Sequence, residues 1–264
     1  MKNAVSEARA KYLRRIRRDA RTVVLSRVAV LLGFLSLWEL GADLGWFDPF
    51  ILSSPSRVLK TIVRLYADGA LWLHISTTLL ETVLGFLLGT LLGALIAVLL
   101  WWMPKLNRIL DPYLVVLNAL PKIALGPVLI VWIGAGMASI VVMGVLVSLV
   151  VTTVTVLNGF LAATDEKQLL MRTLGATKLQ IFTKVVLPAG VPDLISALKI
   201  SVGMSWVGVI VGEYLVSKAG LGYLIVYGGQ VFKLDLVMAS VTVLCILAAL
   251  MYYAVAFLEK KVRT

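Results

Sequence analysis

The sequence predicts an all-α, polytopic membrane protein with about six transmembrane helices. Of the 264 residues, 60% are hydrophobic and only 15% are charged, and the mean hydropathy is +0.97. A water-soluble domain would have about 25% charged residues, and its core could not bury so much apolar surface. Six apolar segments reach the roughly 20 residues that a helix needs to cross a bilayer. They cover about residues 25–46, 78–102, 109–134, 137–160, 188–215 and 236–258.

The first element is a basic leader, residues 1–24. Nine Lys or Arg residues precede residue 28, and an apolar run without a small-residue cleavage pattern follows them. This run is therefore interpreted as the first transmembrane helix rather than as a signal peptide. Helical spacing in the leader predicts a helix at the membrane surface, with its arginines among the lipid headgroups. A transmembrane domain of residues 25–258 comes next, and a short tail of residues 259–264 ends the sequence.

Two connections between the spans are predicted to be partly helical. The segment SSPSRVLKTIVRLYADGALWLHI begins with Ser-Pro and has apolar residues at helical spacing, which favours a helix on the outer surface. The segment GLGYLIVYGGQVFKLD, between the fifth and sixth spans, is broken by glycines. It is predicted to form either a short outer helix or a re-entrant hairpin. The single histidine, His74, is interpreted as a polar residue on an exterior loop.

The second span has three glycines at four-residue spacing, Gly85, Gly89 and Gly93. Small residues at this spacing let another helix backbone approach closely. The partner helix belongs either to the same chain or to a second subunit, and packing within the chain is the favoured interpretation.

The distribution of positive charge predicts the orientation. With the N-terminus inside, the cytoplasmic pieces contain 18 of the 25 Lys and Arg residues, and the outer pieces contain 5. Cytoplasmic loops carry an excess of these residues, so both termini are predicted to be cytoplasmic. The same orientation places the polar segment 164–188 in the cytoplasm.

Several classes of function are disfavoured by what the sequence lacks. A single cysteine, Cys245, cannot form an internal disulfide, and no Cys/His cluster predicts a metal site. The spans contain no convergent set of His, Cys and carboxylate residues, so no catalytic residue is assigned. No G-x4-G-K-S/T phosphate loop occurs, so the chain is not expected to hydrolyse ATP. The net charge of +11 lies mostly between the spans, which argues against nucleic acid as a partner.

The polar segment 164–188 reads TDEKQLLMRTLGATKLQIFTKVVLP and is predicted to be a bent pair of helices. Thr164 can cap the first helix, and Gly175 permits the left-handed turn that ends it. Thr177 and Gln180 can form a capping box for the second helix. Pro188 suits the first turn of the next span. Such a bent element is stiff enough to transmit force from a soluble partner.

This segment resembles the coupling loop of permease subunits of bacterial ABC importers, in the sulfonate, taurine and nitrate group. The resemblance rests on RTLGAT-x3-IF-x2-VVLPA-x2-P-x3-SALKIS and on VGMSWVGVIVGEYLVSKAGLGYLIVYG. It extends through SPSRV, TLLETVLGFLLGTLLGALI and LNALPKIALGPVLIVWIG, and so covers most of residues 54–258. Two departures occur. Leu169, Leu170 and Met171 replace the usual Glu-Ala-Ala, and Glu81 stands where many relatives have a basic residue.

The resemblance implies a type I ABC importer (MetI-like) permease fold in the inner (plasma) membrane of a bacterium. The expected partners are two ABC ATPase subunits, which would bind ATP and Mg, a second permease copy as a homodimer, and an extracytoplasmic solute-binding protein. The chain itself would bind no cofactor, and the enzymatic step would belong to the ATPase. The residues expected to couple to the ATPase are Arg172, Thr173, Leu174, Gly175, Ala176, Thr177, Ile181, Leu187 and Pro188.

Polar residues within the spans are costly in a bilayer and are candidates for the translocation pathway. Lys199 and Glu213 lie about 21 Å apart along the fifth span, too far to pair with each other. Lys199 either faces a cavity or snorkels to the membrane surface. Glu213 either lines the pathway or anchors the GLG turn. The residues proposed for the pathway are Asn118, Pro121, Lys122, Ser205, Trp206 and Glu213.

Three functions stay open at this level. The first is import of a small anion such as a sulfonate, taurine or nitrate. The second is the same machine importing a vitamin or pyrimidine precursor, related to thiamine or riboflavin. The third is a channel or ion-coupled carrier that works without an ATPase. Carriers of that class often contain inverted repeats, and the sequence shows no convincing internal repeat.

Overall fold

The computed structural model describes residues 2–163 and 165–262, and all regular secondary structure in these ranges is helical. The chain divides into two units, Met1–Thr61 and Ile62–Thr264. The first helices are α1 (Lys2–Asp43), α2 (Pro49–Leu52), α3 (Pro55–Ala67), α4 (Ala70–Trp102), α5 (Pro104–Ala119) and α6 (Gly126–Ile133). The others are α7 (Met137–Leu161), α8 (Asp165–Thr173), α9 (Lys178–Ile181), α10 (Leu187–Val216), α11 (Leu221–Gln230) and α12 (Leu234–Val262).

The first unit is dominated by α1, an unbroken helix of 42 residues. No Pro or Gly precedes Gly33, so nothing in the sequence interrupts the helix between the basic leader and the first predicted span. The two predicted elements are therefore one continuous helix. At the far end of α1, Glu39 Oε2 accepts the backbone N–H of Ser56 at 2.9 Å. This bond ties the start of α3 to α1, and no sequence pattern indicated it.

The core of the second unit is formed by α7 packed between α4 and α10. The predicted glycines of α4 lie against α7, which confirms packing within the chain. A Cβ atom on Gly85 would lie 3.3 Å from the Cα of Gly144, and a Cβ on Gly208 of α10 would lie 2.8 Å from the same atom. Three helix backbones therefore meet at Gly85, Gly144 and Gly208, where a larger side chain would separate them.

The glycine contacts also fix the directions of these three helices. Residue numbers rise together along α4 and α7, so the two helices are parallel. The numbers run in opposite senses along α7 and α10, so these helices are antiparallel. The contacts between α4 and α7 are Gly85 with Gly144, Gly89 with Ser148, and Gly93 with Thr152. Those between α7 and α10 include Gly144 with Gly208, Thr152 with Ser201, and Gly159 with Asp193.

The third predicted span is sharply bent. A 3-10 turn, Lys122–Leu125, separates α5 from α6, and the two helical parts make an angle of 86°. Pro121 has no N–H and so cannot continue the helical hydrogen bonding. Near the break, the side chain of Lys122 donates from Nζ to the backbone carbonyl of Asn118 at 3.1 Å. Among the described residues, five helices are long and apolar enough to cross a membrane, or six if the bent pair counts as one span. The prediction of about six spans is confirmed.

The connection after α10 forms a helix rather than a hairpin. α11 has ten residues and packs against α12 through Leu221, Leu224, Leu236 and Val243. Near the other end of α12, Lys199 of α10 forms an ion pair with Glu259. From the sequence, Lys199 was predicted to face a cavity or the membrane surface. Glu259 was predicted to lie in a tail, whereas α12 extends to Val262.

Candidate functional site

The segment between α7 and α10 contains a glycine turn that closes α8. Gly175 has a φ of +79°, as predicted for the left-handed residue after a helix. Its N–H donates to the carbonyl of Arg172 at 3.0 Å, and the N–H of Ala176 donates to the carbonyl of Met171 at 2.9 Å. This pair of bonds is a Schellman motif. It satisfies carbonyl groups that would otherwise be unpaired at the end of the helix.

The turn is followed at once by a capped helix start. Thr177 Oγ1 accepts the N–H of Gln180 at 3.3 Å, and Gln180 Oε1 accepts the N–H of Thr177 at 2.8 Å. The predicted capping box is therefore confirmed. Thr164, the predicted cap of the first helix, lies outside the described residues. We call the segment from α8 through Gly175 to α9 the loop corner.

The second helix of the loop corner does not end before the membrane span. A π-helical segment, Phe182–Val186, joins α9 to α10. The whole stretch Lys178–Val216 is therefore one helix that is long and apolar enough to cross a membrane. The second helix of the predicted pair and the next span are therefore one continuous helix. Pro188 does occupy the first turn of α10. The wider π turn ahead of it bonds the N–H of Leu187 to the carbonyl of Phe182, and single π turns inside α-helices occur frequently at functional sites.

The base of the loop corner is anchored in an apolar cluster. Ile181, Phe182 and Val186 are buried against side chains of α4 and α7. The ring of Phe182 lies 4.9 Å from the ring of Trp101 and 5.5 Å from that of Phe160, between centroids. Aromatic pairs at such distances add about 0.5–1.5 kcal/mol each beyond area burial. The corner is therefore fixed to the helices that carry it.

A lysine makes a second attachment to the end of α4. Lys178 Nζ donates to the carbonyl of Trp102. The same ammonium group lies 5.6 Å from the ring centroid of Trp101 and 5.3 Å from that of Trp102, within the range of cation–π attraction. The carbonyl is one of the last in α4, so the lysine also satisfies the negative end of that helix dipole.

The outward side of the loop corner is unusually apolar for a polar segment. Leu170 is 60% exposed and Leu174 is 73% exposed. Leu169 and Leu179 are exposed to a similar degree. Met171, by contrast, packs against the apolar cluster at the base. Exposed leucines concentrated in one short segment are typical of a surface that another protein covers.

A cavity of about 370 Å³ lies between the loop corner and the ends of α4 and α5. Its lining includes Trp101, Asn107, Gln168, Arg172 and Lys178. The Asn107 Oδ1 atom is buried without a hydrogen-bond partner. Two cationic side chains suit this cavity to an acidic group, and the unpaired Asn107 oxygen can accept a hydrogen bond from a donor that enters the cavity.

The residues predicted to couple to a partner differ in exposure. Ile181 is buried, and Ala176 packs partly against the base cluster. The others are exposed to solvent or lipid: Arg172, Thr173, Leu174, Gly175, Thr177, Leu187 and Pro188.

The residues predicted to line a pathway fall into two separate groups. Asn118 and Pro121 are exposed at the bend between α5 and α6, and Lys122 is half-buried there. Ser205, Trp206 and Glu213 are buried along α10. The Ser205 hydroxyl and the Trp206 indole nitrogen have no hydrogen-bond partner. The six predicted residues therefore differ in exposure, with three at the bend between α5 and α6 and three buried along α10.

Glu213 anchors the turn between α10 and α11, one of the two roles predicted for it. Its Oε2 atom accepts the N–H of Gly222 at 2.6 Å. Two side chains of α4 support the same turn: His74 Nδ1 accepts the N–H of Gly220 at 2.9 Å, and Thr78 Oγ1 accepts the N–H of Leu221 at 2.7 Å. We call this turn, residues 217–222, the α11 corner.

His74 was assigned wrongly from the sequence. It lies within α4 and is 8% exposed, because the N-terminus of α11 offers it a backbone donor in the protein interior. Thr78, Trp101, Lys178 and Phe182 were also missed. The paired tryptophans at the end of an apolar run were the one visible signal, since Trp often marks a membrane–water interface. Among the described residues, no group of three or more His, Cys, Asp or Glu side chains could hold a metal ion.

Comparison with known proteins identifies the family. Residues 89–264 match the family described as the binding-protein-dependent transport system inner membrane component. A probable ABC transporter permease protein of Haemophilus influenzae is 35% identical over 224 residues, which are 85% of this chain and 91% of the relative. The taurine transport system permease protein TauC of Escherichia coli is 25% identical, over 92% of this chain and 90% of the relative.

A third relative is the formylaminopyrimidine transport permease protein ThiX of Halalkalibacterium halodurans. It is 30% identical, over 84% of this chain and 88% of the relative. Among solved structures, one of the MetNI methionine ABC transporter in an inward facing conformation has a TM-score of 0.64 and 22% identity. It covers 74% of this chain and 98% of that chain, and it supports the MetI-like fold. The chain therefore belongs to the binding-protein-dependent inner membrane components, the ABC importer permeases of the sulfonate and taurine group.

Proposed function

We propose that this chain forms the translocation pathway of an ATP-driven importer for a small anion, which a solute-binding protein delivers. The observation that carries the proposal is the loop corner. It is rigid by its own backbone bonds, fixed to α4 and α7 at its base, and apolar on its outward side. In the proposed orientation both termini and the loop corner are cytoplasmic, where an ATPase can reach them.

Continuity between α9 and α10 gives the loop corner a mechanical role. Force applied to α8 and α9 passes into α10 without crossing a flexible joint, because the helix continues through the π segment. ATP and Mg bind two ATPase subunits in this proposal, and the enzymatic step is theirs. ATP-driven closure of these subunits would favour one of two arrangements of the helices, as any ligand with unequal affinity for two states does.

The surface of the loop corner suits such a partner. Leu170 and Leu174 would enter an apolar groove of the ATPase, in place of the usual Glu-Ala-Ala contacts. The adjoining cavity has Arg172 and Lys178 in its lining and would accept an acidic side chain from the same subunit. A second copy of this chain would complete the pathway as a homodimer, and nucleic acid has no part in the assembly.

The pathway is proposed to pass the bend at Asn118–Lys122. Lys122 is a half-buried cation on an exposed bend, and irregular backbone at membrane depth is tolerated where it lines a cavity. A cation there favours an anionic cargo. Ser205, Trp206 and Glu213 are buried within the chain, so they would reach the pathway only if α10 separated from its neighbours.

The cargo is proposed to be a sulfonate, taurine or nitrate. The likeness to the formylaminopyrimidine permease keeps a pyrimidine or vitamin precursor as the second candidate. Co-purification of the chain with its ATPase and its solute-binding protein, followed by a ligand screen on the binding protein, separates the two. Binding of a thiamine or riboflavin precursor in preference to sulfonates and nitrate would favour the second.

Reconstitution in liposomes tests the coupling role. The assembled importer should move its cargo only with ATP. Gly175→Pro should weaken ATPase association or uncouple ATP hydrolysis from transport, because proline cannot adopt a φ of +79°. Gly229→Ala is the control, since a Cβ there meets nothing within 4 Å. Flux through the chain alone without ATP, or normal cargo-stimulated ATPase activity in Gly175→Pro, would contradict the proposal.

The leucine surface has a test of its own. Leu170→Glu or Leu174→Glu should weaken association with the ATPase roughly tenfold or more, as expected for anchor residues of an interface. Phe232→Glu is the matched control, because Phe232 is 70% exposed but lies between α11 and α12. Equal losses in the control and the loop variants would indicate a general effect of the added charge.

A further inference from the structure

Two buried carboxyl groups face each other across α4 and α10. Glu81 is 2% exposed and Glu213 is 1% exposed, and their side chains lie within hydrogen-bonding reach of each other. The lysines of the neighbouring spans are engaged elsewhere. Lys199 pairs with Glu259, and Lys122 bonds the carbonyl of Asn118. The pair therefore has no cation beside it among the described residues.

Glu213 is the member of the pair that carries the negative charge. Its Oε2 atom accepts the N–H of Gly222 at 2.6 Å, and this N–H belongs to the first turn of α11. The N-terminus of a helix favours a negative group, and backbone N–H groups can only donate. The carboxylate also fills the space beside Gly220 and Gly222, where a Cβ atom would collide with it.

Glu81 must donate the hydrogen bond that joins the two carboxyl groups. An ionised carboxylate can only accept hydrogen bonds, whereas a protonated carboxyl has one O–H donor. A contact between two carboxyl groups is therefore attractive only when one proton lies between them, as in paired catalytic carboxylates. Burying a second unpaired charge beside the first would be strongly destabilising. The atoms left without a partner, Glu81 Oε2 and Glu213 Oε1, are both acceptors.

Other ionisable groups near the pair do not supply this proton. His74 uses Nδ1 as an acceptor for the N–H of Gly220, and its ring stacks on Tyr223 of α11 at 6.1 Å between centroids. Tyr214 follows Glu213 on α10 and is 40% exposed. The buried side chains described on α6, α7 and α12 include none that is ionisable.

We propose that Glu81 and Glu213 form a proton-binding site: one proton resides on Glu81, is donated to Glu213, and keeps the α11 corner attached to α4. Removal of that proton leaves two adjacent buried charges. Their repulsion separates the carboxyl groups and releases the hydrogen bond from Gly222. This inference depends neither on the identity of the cargo nor on the coupling role of the loop corner.

Infrared spectroscopy of the purified full chain in lipid nanodiscs tests the proton directly. The wild type should show the C=O band of a buried protonated carboxylic acid, with a downward shift in D2O. Glu81→Gln should lose this band. Glu259→Gln is the matched control and should retain it, because Glu259 pairs with Lys199 and needs no proton. A wild type without the band, or a band that survives in Glu81→Gln, would overturn the proposal.

Hydrogen exchange of the α11 corner tests the consequence. As the pH rises, amide protection at residues 220–222 should fall roughly ten- to a hundredfold in the wild type, as expected on loss of a charge-assisted hydrogen bond. Glu81→Gln should keep its protection, because the amide N–H of Gln donates without a titratable proton. The same pH dependence in both proteins would overturn the proposal. If the exposed corner became protected by added Na⁺ rather than by acid, a metal cation and not a proton would occupy the site.

If Glu81→Gln fails to fold, Glu213→Gln and the wild type keep the test decisive. In the wild type, the loss of the carboxylic acid band and the loss of protection at residues 220–222 should follow the same titration. Glu213→Gln should weaken the corner at every pH, because a neutral amide oxygen accepts less strongly from the α11 N-terminus. If the loss of the band and the loss of protection occurred a pH unit or more apart, the assignment of the shared proton to Glu81 and Glu213 would be contradicted.

Discussion

The loop corner and the α11 corner both depend on glycine, but in opposite ways. At the loop corner, Gly175 has a positive φ and open space around it, so that an added Cβ atom would meet nothing within 4 Å. Its hydrogen bonds connect residues close in sequence. At the α11 corner, Gly222 is enclosed by Glu213, and the bonds reach back to His74 and Thr78 on another helix.

This difference separates a corner that is built locally from one that is built by the core. The loop corner can keep its shape while its outward side is bound by a partner, since the hydrogen bonds that form the turn itself are local. The α11 corner exists only while α4 and α10 are in register. Substitutions at the two corners should therefore affect different quantities, local exchange at the first and global stability at the second.

Gly222→Ala should have the largest effect. The added Cβ would lie 2.8 Å from both Cβ and Oε2 of Glu213, so the carboxylate must move. Overpacking and a weakened charge-assisted bond should together cost about 3 kcal/mol of unfolding free energy. Thermal unfolding in detergent measures the loss. Gly229→Ala in the same helix meets nothing within 4 Å and should unfold like the wild type. Equal melting temperatures for the two variants would show that close packing of Gly222 against Glu213 does not contribute to global stability.

Thr78→Val should come next. Valine preserves the shape of the side chain but leaves the buried N–H of Leu221 without its acceptor, at a cost of about 1–3 kcal/mol. The adjacent Thr77 bonds only the carbonyl of Leu73 within its own helix. Thr77→Val is therefore the control and should change stability by less than about 0.5 kcal/mol. A comparable loss in both variants would mean that the α11 corner does not depend on α4.

Gly175→Ala should have a smaller effect, confined to the loop corner. A side chain fits the space, but holding alanine at a left-handed φ costs about 1–2 kcal/mol. Amide exchange at residues 173–177 should accelerate roughly five- to thirtyfold, while exchange at residues 220–222 stays as in the wild type. Faster exchange at both corners would show that the loop corner is coupled to the core more tightly than its contacts indicate.

Thr177→Ala should have the smallest effect of the series. It removes the side-chain half of the capping box and should cost about 1 kcal/mol at the start of α9. Local exchange at residues 178–181 measures it. Thr183→Ala removes a hydroxyl that bonds the carbonyl of Leu179 and caps no helix start, so it serves as the control. A larger change in the control would assign the effect to lost packing rather than to the cap.

The sequence predicted the local parts of the molecule well. Gly175, the capping box of Thr177 and Gln180, and the position of Pro188 involve groups within a few residues of one another, where backbone geometry alone decides the outcome. The apolar spans and the glycines of α4 could also be predicted. A span needs a long apolar run, and close helix packing favours small residues at four-residue spacing.

The long-range parts could not be predicted in the same way. The bond from Gly220 to His74 and the ion pair of Lys199 with Glu259 depend on which helix faces meet, and one sequence does not specify that. His74 was placed in water because a lone polar residue at the edge of an apolar run usually lies there. Pro121 lies at the interruption between α5 and α6, but the angle of 86° between the two helical parts depends on packing.

The glycine crossing on α10 has a geometric consequence for motion along that helix. At about 1.5 Å of rise per residue, Glu213 lies roughly 7.5 Å from Gly208 and Pro188 lies roughly 30 Å from it on the other side. If α10 tilts about Gly208, where no side chain is interposed between the backbones, its loop end travels about four times as far as Glu213. The helix then acts as an unequal lever. A large displacement with a small force at the Pro188 end becomes a small displacement with a larger force at the Glu213 end, beside the carboxyl groups proposed to share a proton.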